Sequence, residues 1–230
     1  MKNTQILCVI ILAFTLSAIV RAQDCGYYAM SQGMVFGYKN MDAKGKVTGN
    51  TLTTCLDVKK TGTDVVYKVS SEISDANNKN PNKNEYEMRC EAGKFFVDMK
   101  NLVDPKTMEG FKNMEVKVEG TDMMYPATLA AGQSLPDANI TISAGSGGVT
   151  IMNMVVKIIN RKVVGNETVT VPAGTFECYK ITYDVETKMM MKINSSVTEY
   201  INMGAGIIKT ETFDSKGKIA GSTILTELKK

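Results

Sequence analysis

The residue types that most often carry chemistry are sparse in this chain, and one is missing. None of the 230 residues is histidine, which removes Ser-His and Cys-His nucleophile pairs, imidazole metal sites and the commonest general base near neutral pH. Ser215-Lys216-Gly217-Lys218 has the Ser-x-x-Lys spacing of penicillin-recognising enzymes, which place that pair at the start of a buried helix. Here its Gly and flanking strand-like runs predict a hairpin turn. The glycines of Ser143-Ala144-Gly145-Ser146-Gly147-Gly148 lack the Lys and the strand-to-helix context of a phosphate loop. Glu85, Glu87 and Glu91 alternate along one strand-like run and read as a solvated face. Asp98 and Asp104 flank Asn101, without the fixed alternate ligand positions of a calcium loop. A hydrolase using carboxylates alone would need two of them facing across a cleft; it ranks third among the functional readings. No catalytic, cofactor-binding or metal-ligating residue, and no cofactor, is assigned.

Sulfur is the next resource. The chain has 16 methionines. Met152, Met154, Met189, Met190 and Met191 are the candidate contacts for an apolar ligand, because thioether side chains are flexible and polarisable. Methionine also binds Cu(I), but an exported copper carrier would normally pair it with histidine. Of five cysteines, Cys8 lies in the first 22 residues, leaving Cys25, Cys55, Cys90 and Cys178. In an oxidising compartment these four suit two disulfides, with the connectivity open.

The elements that must position these groups are predicted to be strands. Val65, Tyr67, Val69 and Ile73 alternate with Lys68, Ser70, Glu72 and Ser74, and the same period-two pattern recurs at 85–91, 114–119, 138–143, 149–164, 167–171, 175–186, 196–202, 206–213 and 218–228. Strands with one wet face build antiparallel sheets. Asp42-Ala43-Lys44-Gly45-Lys46 and Asp214-Ser215-Lys216-Gly217-Lys218 predict the same hairpin used twice, and Val171-Pro172-Ala173-Gly174 another turn. Residues 75–84 read as a long, exposed, mobile polar loop. Short helices are expected around 104–108, capped by Asp104, and near 125–132.

Residues 1–22 have the basic start, apolar run and small residues of a cleavable signal peptide. The apolar run is shorter than the roughly 20 residues that span a bilayer, and no later segment is a transmembrane candidate. Gln23-Asp24 before Cys25 are not the small residues that precede a lipid-modified cysteine. The remaining 23–230 is expected to be one β-rich domain, with two packed halves meeting near 143–149 as the alternative. Without Lys2 and Arg21 the balance is 25 basic against 24 acidic residues, net +1, which argues against a nucleic-acid partner. Asn139, Asn166 and Asn194 head glycosylation sequons.

Ser134-Leu135-Pro136-Asp137-Ala138, Val169 through Ile181 with its Pro-Ala-Gly-Thr-Phe-Glu-Cys phrase, and Tyr200 followed by Gly204-Ala205-Gly206-Ile207-Ile208-Lys209 resemble a family of exported Bacteroidetes proteins. These form a domain of unknown function, sometimes called TapB-like. The resemblance implies a mainly β fold, a curved antiparallel sheet forming a half-barrel or open barrel, similar to half-barrel lipoprotein carriers. It implies a place in the periplasm, on the outer-membrane surface or outside a Gram-negative cell, and it transfers no catalytic residue. The expected function is a non-enzymatic protein binding an apolar or lipid-like ligand, or a protein partner, in the concave face of the sheet. The alternative is a structural or assembly component of the envelope with no small ligand.

Overall fold

The computed structural model describes residues 26–102 and 113–229. Thirteen strands account for most of them: β1 (Val35–Asp42), β2 (Val47–Thr61), β3 (Asp64–Asp75), β4 (Asn82–Glu91), β5 (Lys94–Val97), β6 (Glu115–Thr121), β7 (Met123–Tyr125), β8 (Ala138–Ser146), β9 (Val149–Val171), β10 (Gly174–Lys188), β11 (Lys192–Asn202), β12 (Gly206–Phe213) and β13 (Ile219–Lys229). A single 3-10 turn, Met99–Leu102, is the only helical element among the described residues. Its start is held by Asp98, whose Oδ1 accepts the Lys100 N–H at 2.8 Å. The helix expected at 125–132 is absent; bends and turns take its place, because Arg161 and Tyr27 take the carbonyls of Met124 and Pro126. The helix expected at 104–108 lies outside the described residues, as do the signal segment 1–22 and Cys25.

All strand pairs are antiparallel, in the order β6-β8-β9-β10-β11-β12-β13-β1-β2-β3-β4-β5-β7. β6 and β7 stand at opposite ends of that order, yet only Asp122 separates them along the chain. The two edges must therefore adjoin, and the sheet curls into a nearly closed barrel. Alternation selects the inner face: Val65, Tyr67 and Val69 on β3, and Ala138, Ile140, Ile142 and Ala144 on β8, are all buried. Inside the barrel lies the segment before β1, whose Tyr27, Tyr28, Met30 and Met34 are buried. Tyr27 and Tyr28 join Phe36, Phe95 and Tyr125 in a ring cluster with centroids 5.2–6.3 Å apart, the tilted and edge-on geometry that aromatic pairs favour.

The two matched hairpins form as expected. In each, the Asp carboxylate accepts backbone N–H groups two and four residues on, at 2.8–3.0 Å, and a Gly takes the left-handed position. The segment expected to be a mobile loop at 75–84 is a third copy. Asp75 Oδ1 accepts from Asn77 N and Lys79 N at 2.9 and 2.8 Å, and Asn78, at φ 59°, stands where the other two have Gly. Asn tolerates that conformation better than other side chains do, so the Gly signal is missing although the turn is the same. The glycine-rich stretch considered as a meeting point of two halves is the β8–β9 hairpin of the same sheet, with Gly147 and Gly148 at positive φ.

β9 is longer than the two strands predicted for it, and it bends rather than breaks. Ile159 pairs with Asp184 and Lys162 with Thr182, so Asn160 and Arg161 together face Tyr183 across a bulge, with Asn160 at φ 57°. Such an insertion flips the inside-outside phase of the strand. Ile158 points inward before the bulge, and Arg161 and Val163 point inward after it.

Candidate functional site

One stretch of the concave face is not filled by side chains. β1, β2, β4, β12 and β13, with the segment before β1, surround a cavity of about 330 Å³ lined by Tyr28, Met30, Phe36, Tyr38, Thr51, Thr53, Tyr86, Met88, Ile207, Thr210 and Thr223. That volume is at the lower end of the roughly 300–1,000 Å³ of small-molecule sites. None of the lining residues is charged. The threonines present little polarity to the interior, because Asn40 occupies two of them: its Nδ2 donates to Thr51 Oγ1 at 3.1 Å and its Oδ1 accepts from Thr223 Oγ1 at 2.8 Å. Tyr28 is fixed from below by the Ile207 N–H, which donates to its hydroxyl at 3.2 Å. Burial pushes the Tyr28, Tyr38 and Tyr86 phenols up from their usual range, so they remain neutral. The cavity can therefore hold an uncharged apolar group, with hydroxyls and methyls at its wall.

A second interior site is polar and filled. Arg161 and Glu199 are each 1% exposed. Arg161 Nη1 donates to the carbonyls of Met124 at 2.9 Å and Pro136 at 2.7 Å, and the guanidinium lies 4.8 Å from the Tyr125 ring centroid. Its Nε and Nη2 are buried with no protein hydrogen-bond partner. Glu199 accepts from the hydroxyls of Tyr125 at 2.9 Å and Tyr183 at 3.5 Å. Burial raises the Glu199 carboxyl above its ordinary value, against the lowering pull of Tyr125, Arg161 and Tyr183. The cluster ties β7, β9 and β11 together across the barrel. It has one carboxylate and no nucleophile beside it, so it lacks the paired groups of acid-base chemistry. Acids do gather in an outer cleft lined by Asp184, Glu186 and Asp214, but each is already engaged. Asp184 accepts from Asn160, Glu186 pairs with Lys192, and Asp214 holds its hairpin.

A family model described as DUF3108-like matches residues 31–225. The chain belongs to the DUF3108-like family. The resemblance drawn from the phrases at 134–138, 169–181 and 200–209 thus led to a family of unknown function, as expected. Two crystal structures share the fold of this DUF3108-like chain. One, from Bacteroides fragilis, is named as an exported protein with a YmcC-like fold; it is 21% identical, with a TM-score of 0.72, over 89% of this chain and 99% of its own. The other, named as a lipoprotein from Parabacteroides distasonis, is 23% identical, with a TM-score of 0.71, over 88% of this chain and 98% of its own. No curated protein matches the chain.

The structure of this DUF3108-like barrel redistributes the residues singled out from sequence. Met152 and Met154 are half-buried and pack on the core from β9, away from the apolar cavity. Met189, Met190 and Met191 form the exposed turn between β10 and β11. The methionines that line the cavity are Met30 and Met88, beside four rings from distant parts of the chain. Two disulfides do not form, because Cys55 and Cys178 are free, buried thiols. They sit on β2 and β10, five strand spacings apart in the sheet, or about 24 Å at roughly 4.8 Å per strand. Each Sγ approaches a backbone carbonyl two residues away, Asp57 at 3.7 Å and Phe176 at 3.6 Å. Cys90 is buried and disulfide-bonded, with its partner outside the described residues.

Proposed function

We propose that this protein is a non-enzymatic, extracytoplasmic binding protein that takes an apolar or lipid-like ligand in the concave face of its barrel. The observation that carries the reading is the cavity between Tyr28, Phe36, Tyr38, Tyr86 and Met88, an uncharged, ring-lined space on the concave face. Filling it with an apolar group costs no desolvation of charge. A location outside the cytoplasm is supported by the signal-like segment at 1–22 and by the exported and lipoprotein names of the two structural neighbours. A structural or envelope-assembly role without a small ligand draws support from the filled polar half around Arg161 and Glu199.

The test is extraction of the purified protein with organic solvent, followed by mass spectrometry, on wild type and on Thr53→Phe. The substitution places a ring in the cavity without removing a hydrogen bond that holds the barrel together. Bound lipid in wild type and at least tenfold less in Thr53→Phe is the expected result. Equal lipid in both, or none in either, excludes the cavity as the ligand site and leaves the assembly role.

A further inference from the structure

The turn between β10 and β11 and the tip of the β8–β9 ribbon place large apolar side chains in water at one end of the barrel. Met189, Met190 and Met191 are 50%, 97% and 77% exposed, and Ile193, Val149 and Ile151 are 63%, 66% and 64% exposed. The ladder puts Lys188 opposite Val155, so residues 149–154 continue past the turn by about 20 Å at roughly 3.3 Å per residue. Val149 and Ile151 share one face of that overhang, two residues apart. Across the two tip segments, 149–159 and 186–195, the charged residues are Lys157, Lys188 and Lys192 against Glu186 alone. Glu186 is occupied by Lys192 at 2.8 Å and lies opposite Lys157.

The β10–β11 turn is apolar at its tip and is flanked by Lys188 and Lys192, paired across the ladder. A protein partner would need a concave pocket shaped to three adjacent, unbranched side chains of no fixed rotamer. A bilayer imposes no such shape, and the order of groups matches its layers, with apolar side chains at the acyl boundary and lysines at the level of the phosphates. We propose that the β10–β11 turn docks the protein onto a lipid bilayer carrying anionic headgroups. The inference does not rest on the apolar cavity being a ligand site.

The chain contains no tryptophan, so Met190→Trp supplies a single reporter at the most exposed position. With vesicles of phosphatidylglycerol and phosphatidylethanolamine its emission shifts to the blue, and wild type co-sediments with them more weakly as salt rises. Replacing Met189, Met190 and Met191 together by Ser lowers vesicle affinity by about tenfold per methionine. Lys188→Gln with Lys192→Gln lowers it by about fivefold per lysine on these vesicles and leaves the weak binding to phosphatidylcholine vesicles unchanged. Circular dichroism of each variant confirms that the barrel remains folded, and Thr53→Phe, which blocks the cavity, keeps full vesicle binding. An unshifted tryptophan emission from a folded Met190→Trp variant overturns the proposal. So does undiminished vesicle binding of the triple Ser variant, or a blue shift that needs a protein partner or self-association instead of vesicles.

Discussion

Replacing Gly206 by Ala should cost the barrel about 3–5 kcal/mol and weaken the cavity at the same time. Gly206 has φ +72°, and a Cβ there would lie 1.8 Å from Tyr28 Cε1 and 2.0 Å from Cζ. The left-handed backbone alone costs an L-residue roughly 1–2 kcal/mol. The clash adds more, since the neighbour is the rigid face of a buried ring rather than a movable chain end. Tyr28 must withdraw from Phe36 and Phe95, at centroid distances of 5.7 and 5.2 Å, and give up the Ile207 N–H. Losing part of the roughly 1.5–3 kcal/mol that full burial of a large side chain is worth costs about 1–2 kcal/mol, and the hydrogen bond about 1 kcal/mol. Urea unfolding followed by circular dichroism measures the loss directly. The decisive comparison is Gly206→Ala on a Tyr28→Ala background, where the ring is gone and only the backbone penalty of about 1–2 kcal/mol should remain. A Gly206→Ala cost below about 1.5 kcal/mol, or one of equal size with and without Tyr28, would refute the argument that this glycine exists to seat the ring.

Three further outcomes follow from individual groups. Burial holds the Glu199 carboxyl above its ordinary value, so above the unfolded value the folded state keeps a proton that the unfolded chain has released. Stability from this group is then full below about pH 4 and falls as pH rises through the folded value. Glu199→Gln mimics the protonated form, so its stability relative to wild type should rise from acid toward neutral pH; a difference that stays constant across the range would count against it. In the third Asp hairpin, Asn78→Ala should destabilise by about 1 kcal/mol in urea unfolding while Asn78→Gly stays near neutral, and equal effects of the two would show that φ 59° does not matter there. Cys178 is buried and its thiol is pushed up to about 11, with Cys55 also raised by burial. At pH 8 roughly a thousandth of Cys178 is thiolate, so a thiol reagent should label neither cysteine in the folded protein but both in strong denaturant. Equal labelling rates in the two conditions would contradict the assigned burial.

What the sequence shows of this fold is what depends on neighbours along the chain. Alternation on β3 and β8 and the Asp-x-x-Gly-Lys turns are local rules, and the strands and the two hairpins they predict occur. The third hairpin escaped because Asn78 does the work of glycine without its signature. The strand predicted over 149–164 occurs, but the bulge at Asn160 that turns Arg161 inward was not foreseen. Its trace in the sequence is the adjacent pair Ile158-Ile159, one apolar residue too many for strict alternation. The cavity was illegible for a different reason. Tyr28, Phe36, Tyr86 and Ile207 belong to four separate segments, and only the long-range pairing that sets β12, β13, β1 and β2 side by side, with the curl of the sheet, brings them around one space. The methionine run at 189–191 attracted attention by composition, whereas Met30, in the segment before β1, and Met88, a single residue in an ordinary alternating strand, are the ones that line the cavity.

The bulge also explains why the interior holds a charged cluster on one side and an uncharged cavity on the other. Once Asn160 turns Arg161 inward, the barrel must accommodate a buried cation, and an isolated one is costly enough to require acceptors, an opposing charge or an aromatic face. Met124 and Pro136 carbonyls, the Tyr125 ring and the Glu199 carboxylate supply these from β7, β11 and the loop after β7, and the side chains that do so occupy the space. The other half faces no charge. Its strands can stand back behind four threonines, two of which, Thr51 and Thr223, bond Asn40, with Tyr28 held on one side by Gly206 and on the other by the rings. For the binding role proposed above, selection in that half rests on shape and apolar contact rather than on charge. Glu199→Gln should accordingly change stability and leave the apolar cavity as it is, while Gly206→Ala, by moving Tyr28, should change both.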